Sequence, residues 1–441
     1  MYLNKKQKEF MTAKERFVAY GGARGGGKSF AVRYKAMFLA MKHAGIRILL
    51  VRRTYGELKE NHIRLMTAAC KSFATYNDSE KCLFFKNGSK IKFGYCDNEN
   101  DVTRYQGIEF DVLFIDEATQ LTKFQFDTLN ASVRGVNDFP KRTYLTCNPG
   151  GVGHSWVKRL FIDKEYEKGE NASDYRFIKA TVFDNKALLE KDGEYLETLK
   201  RLPEALRRAW LEGEWNVTSG CYFPEVREST HVVSRSEIPS PERVYAAIDY
   251  GLDCFCCLFV GLVGKDIYVL DEIWEKNLII SAASDRLLSF GYDVFEVIAP
   301  PDLWGRSQET GKSRADIFAE NGVSLTKCSN DKASGLFALK ELLKLSGGAP
   351  KLRISSSCEK LVKSLTEIQT DLRCPDVTAN EPHELTHAVD ALRYFACHWF
   401  YPKKERVSFD VSRLREDLRE DYLNGDERIR KSIERKYCTK Q

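Results

Sequence analysis

Residues 21–32 read GGARGGGKSFAV. Just upstream, RFVAYGG (16–22) is a short apolar run that ends in glycine, as a buried strand does. Downstream, KSFAVRYKAMFLAMKHAG (28–45) predicts a helix closed by Gly45. Between them, Gly22, four intervening residues, Gly27, Lys28 and Ser29 satisfy the pattern G-x-x-x-x-G-K-[ST]. In a strand–loop–helix unit of this kind the glycines let backbone N–H groups turn toward phosphate oxygens. The helix start adds the positive end of its dipole. Gly22, Ala23, Arg24, Gly25, Gly26 and Gly27 would form the cradle, Lys28 would reach the β- and γ-phosphates of ATP, and the Ser29 hydroxyl would bind Mg²⁺. A second GKS at 311–313 lacks the required glycine, because position 306 is Arg306.

Working outward, IRILLVRRT (46–54), FDVLFIDEATQ (110–120) and KRTYLTCNPGG (141–151) are further apolar runs with polar endings. CLFFKNGSKIKFGY (82–95) sets an Asn-Gly turn between two alternating runs, a hairpin signal. Buried strands alternating with helices predict a mostly parallel sheet with its ligand at the carboxyl ends of the strands. Asp116 and Glu117 end one such strand. Asp116 suits the Mg²⁺ shell, and Glu117 is placed to orient or deprotonate an attacking water. That pair favours ATP hydrolysis over phosphate transfer to a small acceptor. Asn148 ends the next strand, where it could sense the γ-phosphate or simply start an Asn-Pro turn.

At 441 residues the chain exceeds one comfortable core, and ~150 residues per domain suggests two or three domains. Its hydrophobic share of 43% and charged share of 30% are those of a globular protein. No apolar run approaches the ~20 residues of a membrane helix, and the amino-terminal stretch has no secretory h-region. A cytosolic protein is expected. The net charge of +5 is too mild to announce a nucleic-acid partner. Thirteen cysteines make an odd count. Cys254 and Cys257 form a lone C-x-x-C inside the apolar run CFCCLFVGLV, which reads as strand residues rather than a zinc site.

The pattern divides the chain into residues 1–217, a linker at 218–242 that mixes Gly, Ser and three prolines with little periodicity, a second α/β domain at 243–402, and a charged tail at 403–441. In the second domain Asp249 ends VYAAID, Asp302 follows VFEVIAPP, and Asp390 lies in the amphipathic stretch HELTHAVDALRYFACHW, where His387 shares its face. Carboxylates from strand ends and an adjoining helix could hold two Mg²⁺ or Mn²⁺ ions for phosphodiester cleavage. Spacing alone does not select them, since Asp253, Asp271 and Glu272 are comparable carboxylates nearby.

The ordered set of phosphate loop, VLFIDEA, TCNP, EGEW…GCYFPE, AAIDYG, PPD and HAVDALRY resembles the large terminase subunits of tailed bacteriophages over about residues 5–400. The resemblance implies an ASCE-type P-loop ATPase domain followed by a ribonuclease H-like nuclease domain. It also implies a motor that translocates double-stranded DNA into a procapsid and cuts concatemeric DNA. Lys28, Ser29, Asp116 and Glu117 then match the ATPase residues. Arg24 matches a loop arginine that helps stabilise the γ-phosphate, and Gln7 an adenine-contacting glutamine. Thr146 and Asn148 fall in the segment that couples hydrolysis to motion. Asp249, Asp302 and Asp390 match the nuclease metal ligands, and His387 resembles a histidine in some members' sites. Arg52 and Arg53 are an arginine finger or DNA contacts, with no choice between them. The implied partners are a small terminase subunit and the portal protein, with a pentameric ring as the working form. The implied location is the host cytoplasm, docked transiently on the procapsid and absent from the mature virion. A helicase-like translocase without nuclease activity and an ATP-regulated integrase or resolvase remain the alternatives.

Overall fold

The computed structural model describes residues 3–215, 220–251, 253–371, 374–401 and 415–424. Contacts divide the chain into two units, Met1–Val232 with Glu359–Val389, and Val233–Cys358 with Asp390–Gln441. The charged tail at 403–441 lies outside the described residues except for 415–424, where Glu416–Asn424 is helical. Among the described residues no disulfide forms, and no helix is long and apolar enough to cross a membrane.

The first unit is built on eight strands, β1 (Phe17–Gly22), β2 (Arg47–Arg52), β3 (Ala74–Asn77), β4 (Cys82–Phe85), β5 (Lys90–Tyr95), β6 (Val112–Ile115), β7 (Arg142–Cys147) and β8 (Tyr175–Ala180). They lie in the order β3-β4-β5-β2-β6-β7-β1-β8. Pairing is parallel from β5 to β8, and the Asn-Gly hairpin β4–β5, extended by β3, forms the antiparallel edge. Strand β7 stands between the phosphate-loop strand β1 and the acidic strand β6, the additional strand that distinguishes ASCE-type folds.

Side-chain alternation explains why these runs are continuously apolar. Val18 and Tyr20, Ile48 and Leu50, and Val112 and Phe114 enter one core, with Phe10 of α1 (Lys5–Thr12) and Ala31, Val32 and Ala36 of α2 (Lys28–Lys42). Phe17 and Ala19, Leu49 and Val51, and Leu113 and Ile115 enter the other, against Phe126, Trp156 and Leu160. A parallel sheet covered on both faces needs apolar residues at every position.

The second unit holds a sheet in the order β14-β13-β10-β11-β12-β17-β9. Its strands are β9 (Val232–Val233), β10 (Arg243–Tyr250), β11 (Phe255–Val263), β12 (Asp266–Glu275), β13 (Val294–Ala299), β14 (Leu325–Lys327) and β17 (Leu352–Ser355). A small separate hairpin is made by β15 (Leu345–Ser346) and β16 (Ala349–Pro350). Strands β10, β11 and β12 form an antiparallel meander, and β13 and β14 add in parallel beside β10. Counting from β10, the order third-second-first-fourth-fifth is that of ribonuclease H-like folds. Cys254, Cys256 and Cys257 are buried at and within β11, as small strand residues.

Candidate active sites

The phosphate loop leaves β1 and enters α2 through Gly25 (φ 78°) and Gly27 (φ 76°), left-handed conformations that glycine adopts without steric cost. Gly27 is the N-cap of α2, so Lys28 and Ser29 occupy the first helical turn. The Lys28 ammonium is buried and donates to Ala23 O at 2.5 Å and to Asn148 Oδ1 at 2.8 Å. Burial pulls its pKa below the ordinary value, against the opposing field of Glu117. Asn148 completes a bridge by donating Nδ2 to Glu117 Oε2 at 2.8 Å. One amide thus touches both the phosphate-loop lysine and the second residue of the acidic pair.

Asp116, fully buried at the end of β6, is the most heavily hydrogen-bonded group of the site. It accepts from Ser29 Oγ at 3.1 and 3.2 Å, from Thr146 Oγ1 at 2.6 Å and from His62 Nε2 at 2.8 Å, and Arg52 Nη1 lies 3.3 Å away. Burial acts to raise its pKa, yet His62, Arg52 and Thr146 together hold the carboxyl well below the usual range. Burial and the neighbouring Asp116 push Glu117 the other way, upward, with Lys28 opposing. Glu117 is also one of few non-glycine residues in the left-handed region, at φ 60°. Its N–H donates to Thr146 Oγ1 at 2.9 Å, which helps hold a conformation costing roughly 1–3 kcal/mol. The convergence of the Ser29 hydroxyl and the Asp116 carboxylate supplies the hard oxygen donors that Mg²⁺ takes, so these residues fit the ion.

Around this centre the other expected residues occupy distinct places. Gln7 is buried behind the loop, where Nε2 donates to Gly27 O at 3.2 Å and Oε1 accepts from Asn4 N at 3.0 Å. The Arg24 guanidinium stacks 3.3 Å over the Trp210 ring, and its backbone N–H donates to Trp210 O at 2.7 Å. Arg52 turns inward onto Asp116 and Glu57, whereas the charge of Arg53 acts on Glu381. Beyond Asn148, Gly150 N donates to His154 Nδ1 at 2.9 Å, which leaves Nε2–H to donate to Trp215 O at 3.1 Å. Burial pushes the His154 pKa down to about 4, consistent with this neutral tautomer.

Sequence reasoning missed three members of the site: His62, Trp210, and Asn185, whose Nδ2 donates to Gly25 O at 2.8 Å. No motif marks any of them. His62 sits on a π-helical turn, Lys59–Ile63, a rare geometry frequent at functional sites. It is fully buried, and its Nδ1 has no hydrogen-bond partner among the described residues, so its polar contact there is with Asp116. Partners that orient a metal-binding carboxylate are worth about 10–100-fold in metal affinity or activity. His62→Ala is therefore expected to raise the Mg²⁺ concentration for half-maximal ATP turnover about 10-fold or more. A Mg²⁺ titration of phosphate release checks this.

In the second unit, strand alternation decides which carboxylates can meet. Val244, Ala246, Ile248 and Tyr250 of β10 enter one core, which leaves Tyr245, Ala247 and Asp249 on the opposite face. There Tyr245 packs edge-on against Phe395 of the helix Thr386–Phe400, with ring centroids 5.9 Å apart. Asp302 follows β13, the parallel neighbour of β10, in the short turn Pro301–Trp304. Asp249 and Asp302 thus leave the same end of adjacent strands. The buried Tyr394 hydroxyl, one turn after Asp390, has its pKa raised first by burial and then by Asp249, Asp390 and Asp302. All three carboxylates thus act on one hydroxyl, and carboxylate oxygens are donors that divalent cations take.

The comparable carboxylates separate. Asp271 lies opposite Phe259 on the other face and bonds to Tyr292 and Ser357. Glu272 lies opposite Leu258, on the face of Asp249. Asp253 is exposed in the turn after β10. His387 is buried three residues before Asp390 on the same helix, its ring edge-on to His383.

The phosphate loop, the strand inserted before the acidic strand, and the second sheet define an ASCE-type P-loop fold followed by a ribonuclease H-like fold. Residues 13–214 match the family model described as phage terminase large subunit. No curated protein matches the chain. Among solved structures, the large terminase of a thermophilic bacteriophage is 18% identical, with 90% of this chain and 98% of that one covered at a TM-score of 0.43. The large terminase of bacteriophage HK97 is 13% identical, with 90% and 94% covered at 0.49. The nuclease domain of the P22 large terminase is 18% identical, with 42% and 94% covered at 0.34.

Proposed function

We propose that the chain hydrolyses ATP in its first unit to translocate double-stranded DNA, and cuts that DNA in its second. The observation that carries the ATPase reading is the Asn148 bridge, 2.8 Å from Lys28 Nζ and 2.8 Å from Glu117 Oε2. A γ-phosphate arriving at Lys28 competes for the contact that Asn148 now makes. Its departure returns that contact, so nucleotide state is communicated to the loop that follows. The loop from Gly22 to Gly27 would cradle the phosphates, Ser29 and Asp116 would hold Mg²⁺, and Glu117 would take the proton of the attacking water. Arg24 would leave Trp210 to meet the γ-phosphate, and Gln7 would serve the adenine side. Thr146, bonded to Asp116 and to the Glu117 backbone, ties the metal ligand to the base.

In the second unit Asp249, Asp302 and Asp390 would hold two Mg²⁺ or Mn²⁺ ions. Such ions, when bound, activate water and stabilise the leaving oxygen. The protein's own task there is to keep three carboxylates in register on strand ends and one helix. The working assembly is a pentameric ring that meets the procapsid portal, with a small terminase subunit selecting DNA in the host cytoplasm. The domain limits 1–217, 218–242 and 243–402 serve this reading as its two engines and the joint between them.

The test is DNA packaging with procapsids, small subunit and ATP, scored as DNA protected from added nuclease. Wild type is expected to protect DNA, and Lys28→Ala to protect none while still cutting plasmid. Protection by Lys28→Ala at the wild-type level would refute ATP-driven translocation from this site.

A further inference from the structure

We propose that Arg393 is a positioning residue of the second site, whose buried guanidinium fixes the Asp390 carboxylate for metal binding. The inference rests on the reading of Asp390 as a metal ligand. Arg393 is only 2% exposed, and its Nε donates to Asp390 Oδ1 at 2.8 Å. Nη2 reaches Asn330 Oδ1 at 3.3 Å, and the guanidinium lies 4.3 Å over the Tyr394 ring. Asp390 itself keeps solvent access, its side chain being 20% exposed. One carboxylate oxygen is thus anchored from inside the protein while the group stays open to the site.

Packing alone does not call for an arginine here. A buried guanidinium carries a desolvation cost, and replacing buried ion pairs by well-fitting apolar residues is often neutral or stabilising. Arg393 bears that cost incompletely compensated, because its Nη1 is buried with no partner among the described residues. The surroundings are nevertheless shaped to admit it. A Cβ on Gly335 would lie 2.5 Å from Arg393 Cγ and 3.1 Å from Cδ, so the helix Lys332–Leu343 has glycine where the arginine stem crosses it. What the guanidinium supplies and a methionine would not is a fixed counter-charge beside one of three gathered carboxylates. Without a cation these repel one another, and a directed N–H bond holds Asp390 in place against that repulsion. Lysine retains the charge but not the planar fork.

The experiment uses the full chain with plasmid DNA and graded Mn²⁺, with two further readouts: the Mn²⁺-induced rise in melting temperature, which needs no turnover, and ATP turnover in the first unit. Arg393→Met is expected to raise the Mn²⁺ concentration for half-maximal cleavage about 10–100-fold and to shrink the melting shift, with ATP turnover unchanged. Arg393→Lys should restore part of both. Gly335→Ala, which pushes on the arginine without removing it, should move them in the same direction. Wild-type metal dependence in Arg393→Met, while Asp302→Ala is inactive, overturns the inference and leaves the site standing. Wild-type cleavage by Asp302→Ala refutes the metal site itself. If wild type cuts nothing, the melting shift decides, and an equal shift in Arg393→Met rejects the inference. If Arg393→Met fails to fold, Arg393→Lys and Gly335→Ala decide, and wild-type behaviour in both rejects it.

Discussion

Glu117→Gln is expected to lower ATP turnover by about 10²–10⁴-fold, the range that a positioned general base contributes, while nucleotide affinity changes only a few-fold. Glutamine matches glutamate in shape. Its carbonyl can still accept the Asn148 Nδ2 bond at 2.8 Å, and the backbone at φ 60° is still held by Thr146. What disappears is the group that takes a proton from water. Because burial and Asp116 already disfavour the charge on Glu117, its removal should leave thermal stability equal or higher. Phosphate release and fluorescent-nucleotide binding, measured on one preparation, separate the two effects. Turnover retained within a few-fold would place the base elsewhere. Plasmid cleavage in the second unit should not change, which makes Glu117→Gln a motor-dead, nuclease-competent protein.

The complementary expectation is that Asp302→Asn loses DNA cleavage by on the order of 10³-fold, equivalent to the several kcal/mol of charge stabilisation that a bound metal supplies. The Asp302 side chain is 56% exposed, and its recorded ion pair, with Arg314 at 3.8 Å, is long. Substitution at such a site should change stability by no more than about 0.5 kcal/mol. Lost cleavage would then report chemistry and not unfolding. Gel analysis of supercoiled plasmid in Mg²⁺ and in Mn²⁺, beside an ATPase assay, checks it. Cleavage undiminished in both metals would remove Asp302 from the ligand set.

Much of the first site is legible in the sequence because its parts are local. A glycine spacing, a lysine at a helix start and an acidic pair at a strand end each depend on a few neighbouring residues. The hairpin at Cys82–Tyr95 was readable for the same reason, since Asn87-Gly88 sets its turn. His62, Trp210 and Asn185 were not. They act at long sequence separations, 54 residues from His62 to Asp116 and 160 from Asn185 to Gly25. Composition and periodicity contain no record of such distances.

The carboxylates of the second unit mark the same boundary. Asp271 and Glu272 are adjacent and chemically alike, and no spacing rule separates them. The register of β11 against β12 does, by setting Asp271 opposite Phe259 and Glu272 opposite Leu258. The amino-acid sequence by itself determined the class of the first domain and the order of its chemical parts, because the strand–loop–helix unit and the acidic strand end are written in short-range pattern. Only the tertiary structure decided which side chains surround Asp116, which face of the second sheet carries Asp249, and what stands behind Asp390. Those facts come from strand order, strand register and helix packing, and they exist only once segments far apart in the chain are brought to the same few ångströms.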